Sequence, residues 1–434
     1  MNWHKKGNDH SLSEVFSSVK VPVNGSFMKK LLAFSGPGLM VAVGYMDPGN
    51  WATDIAGGAQ FGYTLLSVIF ISNLFAMLLQ YLALKLGIAT ERDLAQACRD
   101  HYGRTTNFIL WLLCEVAIAA CDLAEVIGAA LALNLLFHIP LTWGVVITSM
   151  DVLLILLFQH KGFRFIEIIV ASLIFLILAC FAYELIASHP AFAPVLQGLM
   201  PTREIVVNPS MLYIAIGILG ATVMPHNLYL HSSIVQTRDY ERNETGKRMA
   251  IKFATIDSTV SLFFAFFINA AILILAGAAF HNGHKEVADI TVAYKLLDPV
   301  LGVTLASTLF AVALLASGQN STLTGTLAGQ IVMEGFLKIK LQPWLRRLIT
   351  RVIAIIPAFF VTLIYGEKGI ANLLVLSQVI LSMQLSFAVI PLIIFTNDKS
   401  KMGVFANRLP MKVAVWTTAG IILLLNVYLL CTMV

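Results

Sequence analysis

The sequence predicts an all-α protein that crosses a membrane many times, and three observations lead to this prediction. Of its 434 residues, 58% are hydrophobic and only 12% are charged, whereas charged residues make up about 25% of an average soluble domain. Apolar stretches of about 20 residues, long enough to cross a ~30 Å hydrocarbon core as helices, recur along the chain. The basic residues fall almost entirely into alternate loops. This composition excludes a soluble enzyme, a disordered protein and a nucleic-acid-binding protein.

We predict eleven spans. They are residues 31–58, 63–86, 107–136, 141–159, 164–187, 211–236, 250–280, 302–337, 345–366, 369–395 and 412–432. The polar segment before them contains no short apolar core followed by a small-residue cleavage site, so the first span is expected to direct insertion. The expected organisation is an N-terminal tail (1–27), five helices (28–190), five more helices (205–398) and an additional helix 11 (410–434).

The distribution of Lys and Arg predicts the orientation of these spans. If the N-terminus is cytoplasmic and the spans alternate, 25 of the 29 basic residues lie in cytoplasmic segments, and only Arg203, Lys285, Lys295 and Lys368 lie outside. Cytoplasmic loops of membrane proteins are enriched in Lys and Arg. We therefore predict a multi-pass plasma-membrane protein with a cytoplasmic N-terminus and an extracellular C-terminus. The net charge of +5 then reflects cytoplasmic loops and indicates no nucleic-acid partner.

The cysteines and histidines form no familiar catalytic or structural-metal motif. The five cysteines are scattered through apolar segments, without the spacing of a disulfide framework or a zinc site. No His-Glu-x-x-His motif occurs, which argues against an intramembrane zinc protease. His226 and His231 lie about 140° apart around a helix and so do not form an i,i+4 metal pair. We expect neither an enzyme nor a bound cofactor.

Two spans contain residues that break helices near mid-membrane. Span one contains Asp-Pro-Gly-Asn at 47–50, and span six contains Met-Pro-His at 224–226. Proline removes a helical donor and clashes with the preceding turn, and unwound backbone in a membrane occurs only where it lines a protected cavity. The breaks are five spans apart, as expected for two repeats of five helices, which an odd helix number makes inverted. Such paired breaks mark the substrate site of transporters, although each alone is also consistent with a packing kink.

The groups at these breaks are chemically suited to a divalent metal ion. They are the carboxylate of Asp47, the amide oxygen of Asn50, the freed carbonyls of Gly44 and Ala221, and the thioether of Met224. A mixed oxygen and sulfur set favours manganese or ferrous iron over calcium. Simple packing is the alternative role for Met224, and its place directly before Pro225 favours the ligand role. Asp47 at the midplane is costly unless it binds a cation or a proton, and the nearby His226 is a candidate proton acceptor.

Some of the other polar residues inside the spans allow two interpretations. Glu115, Asp122 and Glu125 share roughly one face of span three, so they form either a structural network with arginines or a proton or ion path. Arg346 and Arg347 are candidate partners by charge alone. In span eight, the spacing of Gly325 and Gly329 predicts close helix packing. In span ten, Gln378 makes either an interhelical hydrogen bond or an extra ligand contact.

These residues resemble the Nramp family of divalent-metal transporters (natural resistance-associated macrophage proteins), and most closely its bacterial proton-coupled manganese branch. The similarity runs from Ser35 onward. It is carried by Asp-Pro-Gly-Asn at 47–50, Met-Pro-His at 224–226, the segment from Gly318 to Gly329, the acidic span three and the arginine pair at 346–347.

The resemblance implies a LeuT-type fold of two inverted five-helix repeats, with broken helices 1 and 6 and an eleventh helix. It implies metal ligation by Asp47, Asn50, Met224 and the carbonyl of Ala221, joined in some states by the carbonyl of Gly44 and by Gln378. It also implies a proton path. The residues of that path are Asp47, His226, Asp122, Glu125, Arg346 and Arg347. The implied function is import of manganese and ferrous iron together with protons.

Two residues depart from the family's pattern, and other functions remain to be tested. Gly44 stands where relatives often have Ala, and Cys121 stands where Thr is usual beside the acidic pair. A sodium- or proton-coupled amino-acid transporter of the same fold is the alternative, although Asp47 would repel a substrate carboxylate. A non-transporting metal sensor is a further alternative, for which the chain offers no obvious output domain.

Overall fold

The computed structural model describes residues 17–22, 24–148, 162–281, 290–302, 305–339 and 341–433, without the side chains of 299–300, 343–344, 347, 351, 354–355, 358, 361–368 and 432–433. The described chain is helical apart from two short strands, β1 (Val19–Lys20) and β2 (Arg238–Asp239), which pair in parallel. The all-α prediction therefore holds for the body of the protein. The sheet was not predicted, because two-residue strands carry no periodic pattern.

The first half of the chain forms nine described helices. They are α1 (Phe27–Phe34), α2 (Pro37–Val43), α3 (Pro48–Phe61), α4 (Leu66–Thr90), α5 (Leu94–His101), α6 (Arg104–Phe137), α7 (Leu141–Thr148), α8 (Phe163–Ala187) and α9 (Phe192–Gly198). The predicted first span is thus three helices, with a 3-10 turn at Gly44–Met46 between α2 and α3. The extra helix α5 begins at a capping box, in which Asp93 and Gln96 each bond the other's backbone N–H.

The second half of the chain also forms nine described helices. They are α10 (Glu204–Val207), α11 (Pro209–Thr222), α12 (Pro225–Ile234), α13 (Glu244–Phe280), α14 (Ile290–Leu301), α15 (Ala306–Leu337), α16 (Pro343–Asn397), α17 (Lys399–Met402) and α18 (Leu409–Met433). The sequence predicts two spans within α16, but helical backbone continues without a break through their expected junction at 367–368.

Seven helical segments of the described chain are long and apolar enough to cross a membrane. They are Leu66–Thr90, Arg104–Phe137, Phe163–Ala187, Pro209–Thr237, Glu244–Phe280, Gly369–Asn397 and Leu409–Cys431. Helix α15 has 32 residues and is about 48 Å long, but its centre is polar. The outward faces of α8 and α18 expose large apolar side chains such as Phe175 and Leu424, as expected for contact with lipid. Eleven remains a prediction for the number of spans.

The two broken helices lie at the centre of the protein. Helix α3 packs against α13, α11 packs against α16, and α12 packs against α4 and α15. Gly58 allows the close approach of α3 to α13, because a methyl group there would lie 2.4 Å from the carbonyl oxygen of Leu273. Trp51 is fully buried with edge-on contacts to Phe181 and Phe310. Neighbouring helices therefore shield both breaks from lipid.

Candidate functional site

The first helix break is held open by the side chain of its own capping residue. After the 3-10 turn, Asp47 adopts an extended conformation (φ −70°, ψ 164°) and becomes the N-cap of α3. Its Oδ1 accepts a hydrogen bond of 2.8 Å from the backbone N–H of Asn50, which satisfies one of the orphan donors at the start of a helix. Pro48 occupies the first helical position, where its missing N–H costs nothing.

The second break has the same outline but no side-chain cap. Helix α11 ends at Thr222, and Met224 is the N-cap of α12 with an extended conformation (φ −66°, ψ 123°). Pro225 again fills the first helical position. The thioether of Met224 makes no capping hydrogen bond. It is buried and belongs to an apolar cluster with Ala117, Cys121 and Leu381.

Oxygen atoms from both breaks converge on one atom, the amide nitrogen of Asn50. This nitrogen lies 2.6 Å from Oδ1 of Asp47, 3.3 Å from the carbonyl oxygen of Gly44 and 3.1 Å from the carbonyl oxygen of Ala221. The NH₂ group donates to all three, although Ala221 is 171 residues away in the sequence. Three of the predicted metal ligands thus lie within hydrogen-bonding distance of a fourth, the side chain of Asn50. A half-turn of the amide would replace this NH₂ group by the oxygen.

Two oxygen atoms in the same region have no hydrogen-bond partner among the described residues. They are Oδ2 of Asp47 and Oε1 of Gln378, both on fully buried side chains. The side chain of Gln378 lies directly over the first break, because a methyl group on Gly49 would be 1.8 Å from its Nε2. Buried polar atoms are normally bonded, so these oxygens are suited to a cation. The described residues contain no cluster of three His, Cys, Asp or Glu side chains that could hold a metal ion.

The acidic face of α6 divides into two parts. At one end, Glu115 accepts two hydrogen bonds of 3.1 and 3.0 Å from Nη2 of Arg346, so this candidate partner does contact the acidic face. The Arg346 guanidinium packs on Gly329, where a methyl group would lie 1.5 Å from Nη1. Gly329 therefore makes room for an arginine, and the prediction that it serves close helix packing was incomplete. The side chain of Arg347 lies outside the described residues.

The other acidic residues of α6 face the helix breaks. Glu125 interacts electrostatically with Asp47 and accepts hydrogen bonds from Thr322 Oγ1 at 3.4 Å and from the thiol of Cys121 at 3.7 Å. Asp122 interacts electrostatically with His226. All of these carboxylates and the imidazole are buried. The structure thus brings the predicted titratable residues into one region next to the breaks.

Two polar residues near the breaks, Asn269 and Asp54, were not predicted from the sequence. Asn269 of α13 donates to the carbonyl oxygen of Tyr45 at 2.8 Å and to Oδ1 of Asn50 at 3.4 Å. Asp54, on the same helix as Asp47, is buried and interacts electrostatically with it. Each is a polar residue in an apolar span, which is the signal that identified Gln378 and could have identified these.

Hydrogen bonds connect the segment that contains Tyr45, and helix α12, to neighbouring helices. Gln80 of α4 donates to the hydroxyl of Tyr45 at 2.8 Å, and its oxygen lies 2.9 Å from Nδ1 of His231. Further along, the fully buried Arg238 binds Glu167 at 2.7 Å and the carbonyl oxygen of Ser35 at 3.0 Å. These contacts tie the segments on either side of α2, together with α12 and β2, to α4 and α8.

Comparison with known proteins identifies a family. The profile of natural resistance-associated macrophage protein-like (Nramp) proteins matches residues 38–432. A "Divalent metal cation transporter MntH" of Listeria innocua is 64% identical over 430 residues, which cover 99% of this chain and 96% of the relative.

Solved structures show the same likeness. The manganese transporter of Eremococcus coleocola has a TM-score of 0.89 at 47% identity and covers 96% of this chain and 90% of its own. Mhp1, a nucleobase-cation-symport-1 family transporter, has a TM-score of 0.62 at 15% identity, covering 92% and 91%, which shows a shared fold alone.

Proposed function

The chain belongs to the Nramp family, and from this premise we propose that it imports manganese and ferrous iron across the plasma membrane by alternating access, driven by protons. The proposal is supported by its relatives, which are named as divalent-metal and manganese transporters. We also propose eleven spans arranged as two inverted five-helix repeats, 28–190 and 205–398, with helix 11 at 410–434. The charge distribution of the loops supports a cytoplasmic N-terminus and an extracellular C-terminus.

One observation carries the proposed metal site: oxygen atoms from both helix breaks lie around the amide of Asn50. A cation at this point would replace the NH₂ group as the partner of Asp47 and of the carbonyls of Gly44 and Ala221. After rotation of the amide, the oxygen of Asn50 would join them, and Gln378 and Met224 would complete the set. With one carboxylate, several neutral oxygens and one thioether, this site favours manganese and ferrous iron over calcium.

The proposed proton path starts at the same carboxylate. Asp47 would release its proton when the metal binds, because one buried carboxylate cannot hold both. His226 and the acidic pair Asp122 and Glu125 would accept protons in turn, which is supported by the electrostatic interactions of Glu125 with Asp47 and of Asp122 with His226. Arg346 and Arg347 would lie at the exit of the path. There Arg346 forms an ion pair with Glu115. No step of this path requires a bound cofactor.

Uptake into liposomes tests the metal site. We expect the wild-type protein to accumulate manganese but not leucine, and Asp47→Ala to accumulate neither. Glu204→Ala, which removes an exposed carboxylate outside the site, should behave as wild type. Normal manganese uptake by Asp47→Ala would refute the assignment of the site. Accumulation of leucine without manganese would favour the amino-acid transporter instead.

Proton coupling needs a separate measurement in the same liposomes. We expect the interior to acidify during manganese uptake, in proportion to the metal that enters. Uptake without acidification would leave the metal site intact but would exclude symport with protons. Met224→Ala adds a test of selectivity, because loss of the thioether should bring manganese and calcium uptake closer together.

A further inference from the structure

A cavity of about 610 Å³ lies away from the helix breaks, between α4, α13 and the segment that precedes α18. Four basic residues line it, namely Lys85, Arg248, Lys252 and Arg408, and no acidic residue does so in the described chain. The remaining walls are mainly apolar, with Ile251, Ile256, Phe405 and Met411 among them. The cavity therefore combines a strong positive charge with apolar surface, and nothing in the proposed transport mechanism uses it.

The charge of Lys85 has no acidic counter-ion among the residues that the structure describes. Its side chain is only 5% exposed. Its ammonium donates to Oδ1 of Asn407 and lies 5.0 Å from the centre of the Tyr81 ring. Among the described residues, no carboxylate lies within salt-bridge distance of it. A buried charge held only by neutral partners is costly, so this site would be stabilised by an anion that enters the cavity.

The other three basic residues line the same cavity as Lys85. Lys252 and Arg408 are exposed at the rim, and Arg408 directly follows Asn407. Arg248 is partly neutralised by Glu244 at 2.7 Å, and its guanidinium lies 5.5 Å from the centre of the Phe405 ring. A single phosphate group can accept several hydrogen bonds from Lys and Arg at once. Its chemistry therefore fits this cavity better than that of a carboxylate.

The surroundings of the cavity indicate that the phosphate belongs to a lipid. Apolar side chains next to the basic rim are largely exposed, with Val404 at 62%, Leu409 at 73% and Val413 at 59%. All four basic residues belong to segments that the charge distribution assigns to the cytoplasmic side. Basic pockets between helices on that side typically bind anionic lipid head groups. We propose that this cavity binds the phosphate of an anionic phospholipid of the inner leaflet, whose acyl chains lie along the exposed apolar residues.

Such a lipid would link three parts of the protein. Lys85 belongs to a long helix, α4, and Arg248 and Lys252 to another, α13. Asn407 also holds the end of α16, because its Nδ2 donates to Thr396 Oγ1 at 3.1 Å and to Asn397 Oδ1 at 2.8 Å. A phosphate bound to Lys85 would therefore fix the junction of α16 and α18 against α4 and α13. We expect the bound lipid to stabilise the folded protein.

The test uses the full-length protein in a neutral detergent, with thermal unfolding as the readout. The additives are short-chain phosphatidylglycerol, short-chain phosphatidylcholine and inorganic phosphate. We expect phosphatidylglycerol to raise the unfolding temperature at low concentration, phosphatidylcholine to have no effect, and inorganic phosphate to act only at much higher concentration. Equal effects of inorganic phosphate and phosphatidylglycerol would overturn the lipid assignment.

Matched double variants distinguish lipid binding in the cavity from nonspecific electrostatic attraction of the lipid to the protein. Lys252→Gln with Arg408→Gln removes two positive charges from the rim, and Lys29→Gln with Arg104→Gln removes two exposed ones elsewhere. We expect the first pair to bind phosphatidylglycerol about tenfold more weakly and the second to bind as wild type. Equal weakening in both pairs would overturn the proposal. Lys85→Met, if it folds, should lose the lipid effect, and the rim variants test the proposal even if it does not.

Discussion

The two helix breaks have the same backbone outline but differ in what holds them open. At the first break, Oδ1 of Asp47 caps α3 by accepting a hydrogen bond from the backbone of Asn50. Its Oδ2 has no hydrogen-bond partner among the described residues. At the second, Met224 makes no side-chain capping bond, so Pro225 begins α12 without the help of a side-chain cap. Asp47 therefore has a structural role in addition to its proposed role as a metal ligand, whereas the side chain of Met224 has no capping role. Substitutions at the two breaks should separate stability from metal binding in different ways.

The largest effect is expected at Asp47. Asp47→Ala should abolish manganese uptake and also lower the free energy of unfolding by about 1 kcal/mol, the usual contribution of an N-cap. Asp47→Asn should abolish uptake equally but unfold like wild type, because the amide oxygen can still accept from Asn50. In both variants the manganese affinity should fall by more than ~10–100-fold, which is the loss typical when a residue that only supports the metal ligands is removed.

Calorimetric titration and thermal unfolding of the two Asp47 variants provide the measurement. Because the variants differ in the cap and not in the loss of charge, the difference between their unfolding temperatures isolates the structural role. Equal destabilisation by both would show that the charge, and not the capping bond, holds the first break. Retained manganese affinity in Asp47→Asn would show that a neutral oxygen suffices at this position.

The next effect is expected at Met224, where ligand chemistry should change without a large loss of stability. Leucine has nearly the same volume, so Met224→Leu should cost less than about 1.5 kcal/mol within the cluster of Ala117, Cys121 and Leu381. The preference for manganese over calcium should fall by about tenfold, or ~1.4 kcal/mol. Competition between the two ions during uptake measures this. An unchanged preference would leave Met224 as a packing residue.

A smaller effect is expected from the two prolines, and it should be unequal. Proline disfavours helical conformation in the residue before it, and at the second break no side-chain cap assists. Pro225→Ala should therefore let α11 and α12 join and should reduce uptake by about two- to fivefold, whereas Pro48→Ala should change it less. Hydrogen exchange of the amides at 222–226 measures the joining directly. Slower exchange there in Pro225→Ala, with no change at 45–49 in Pro48→Ala, is the expected pattern.

The sequence was sufficient to predict the positions of the breaks and some of the residues that lie at them. Proline beside charged or polar residues in an apolar span is a local signal, and it identified Asp47, Asn50 and Met224. Contacts between distant helices carry no such signal. Asn269 reaches Asn50 across 219 residues, and the need for glycine at position 329 is explained only by Arg346. The continuous backbone of α16 was also missed, because polar residues within a helix resemble those of a loop.

The smallest effect is expected at the contact that joins the two breaks. Asn227 follows the second break, and its Nδ2 lies 3.5 Å from the carbonyl oxygen of Val41. A methyl group on Gly44, in the first break, would lie 2.1 Å from the same nitrogen. Gly44→Ala should therefore displace the Asn227 side chain, and because this amide can rotate away, the cost should stay below about 1 kcal/mol.

A double-mutant cycle tests whether the breaks are coupled through this contact. If Gly44→Ala acts only by displacing Asn227, it should lower uptake and stability in the wild type but have no effect in Asn227→Ala. Residues in contact usually show interaction energies of at least ~0.5 kcal/mol, whereas independent sites are additive. Additive effects would mean that the first break tolerates the methyl group by itself and that the two breaks move independently. Non-additive effects would mean that a shift at one break is passed directly to the other.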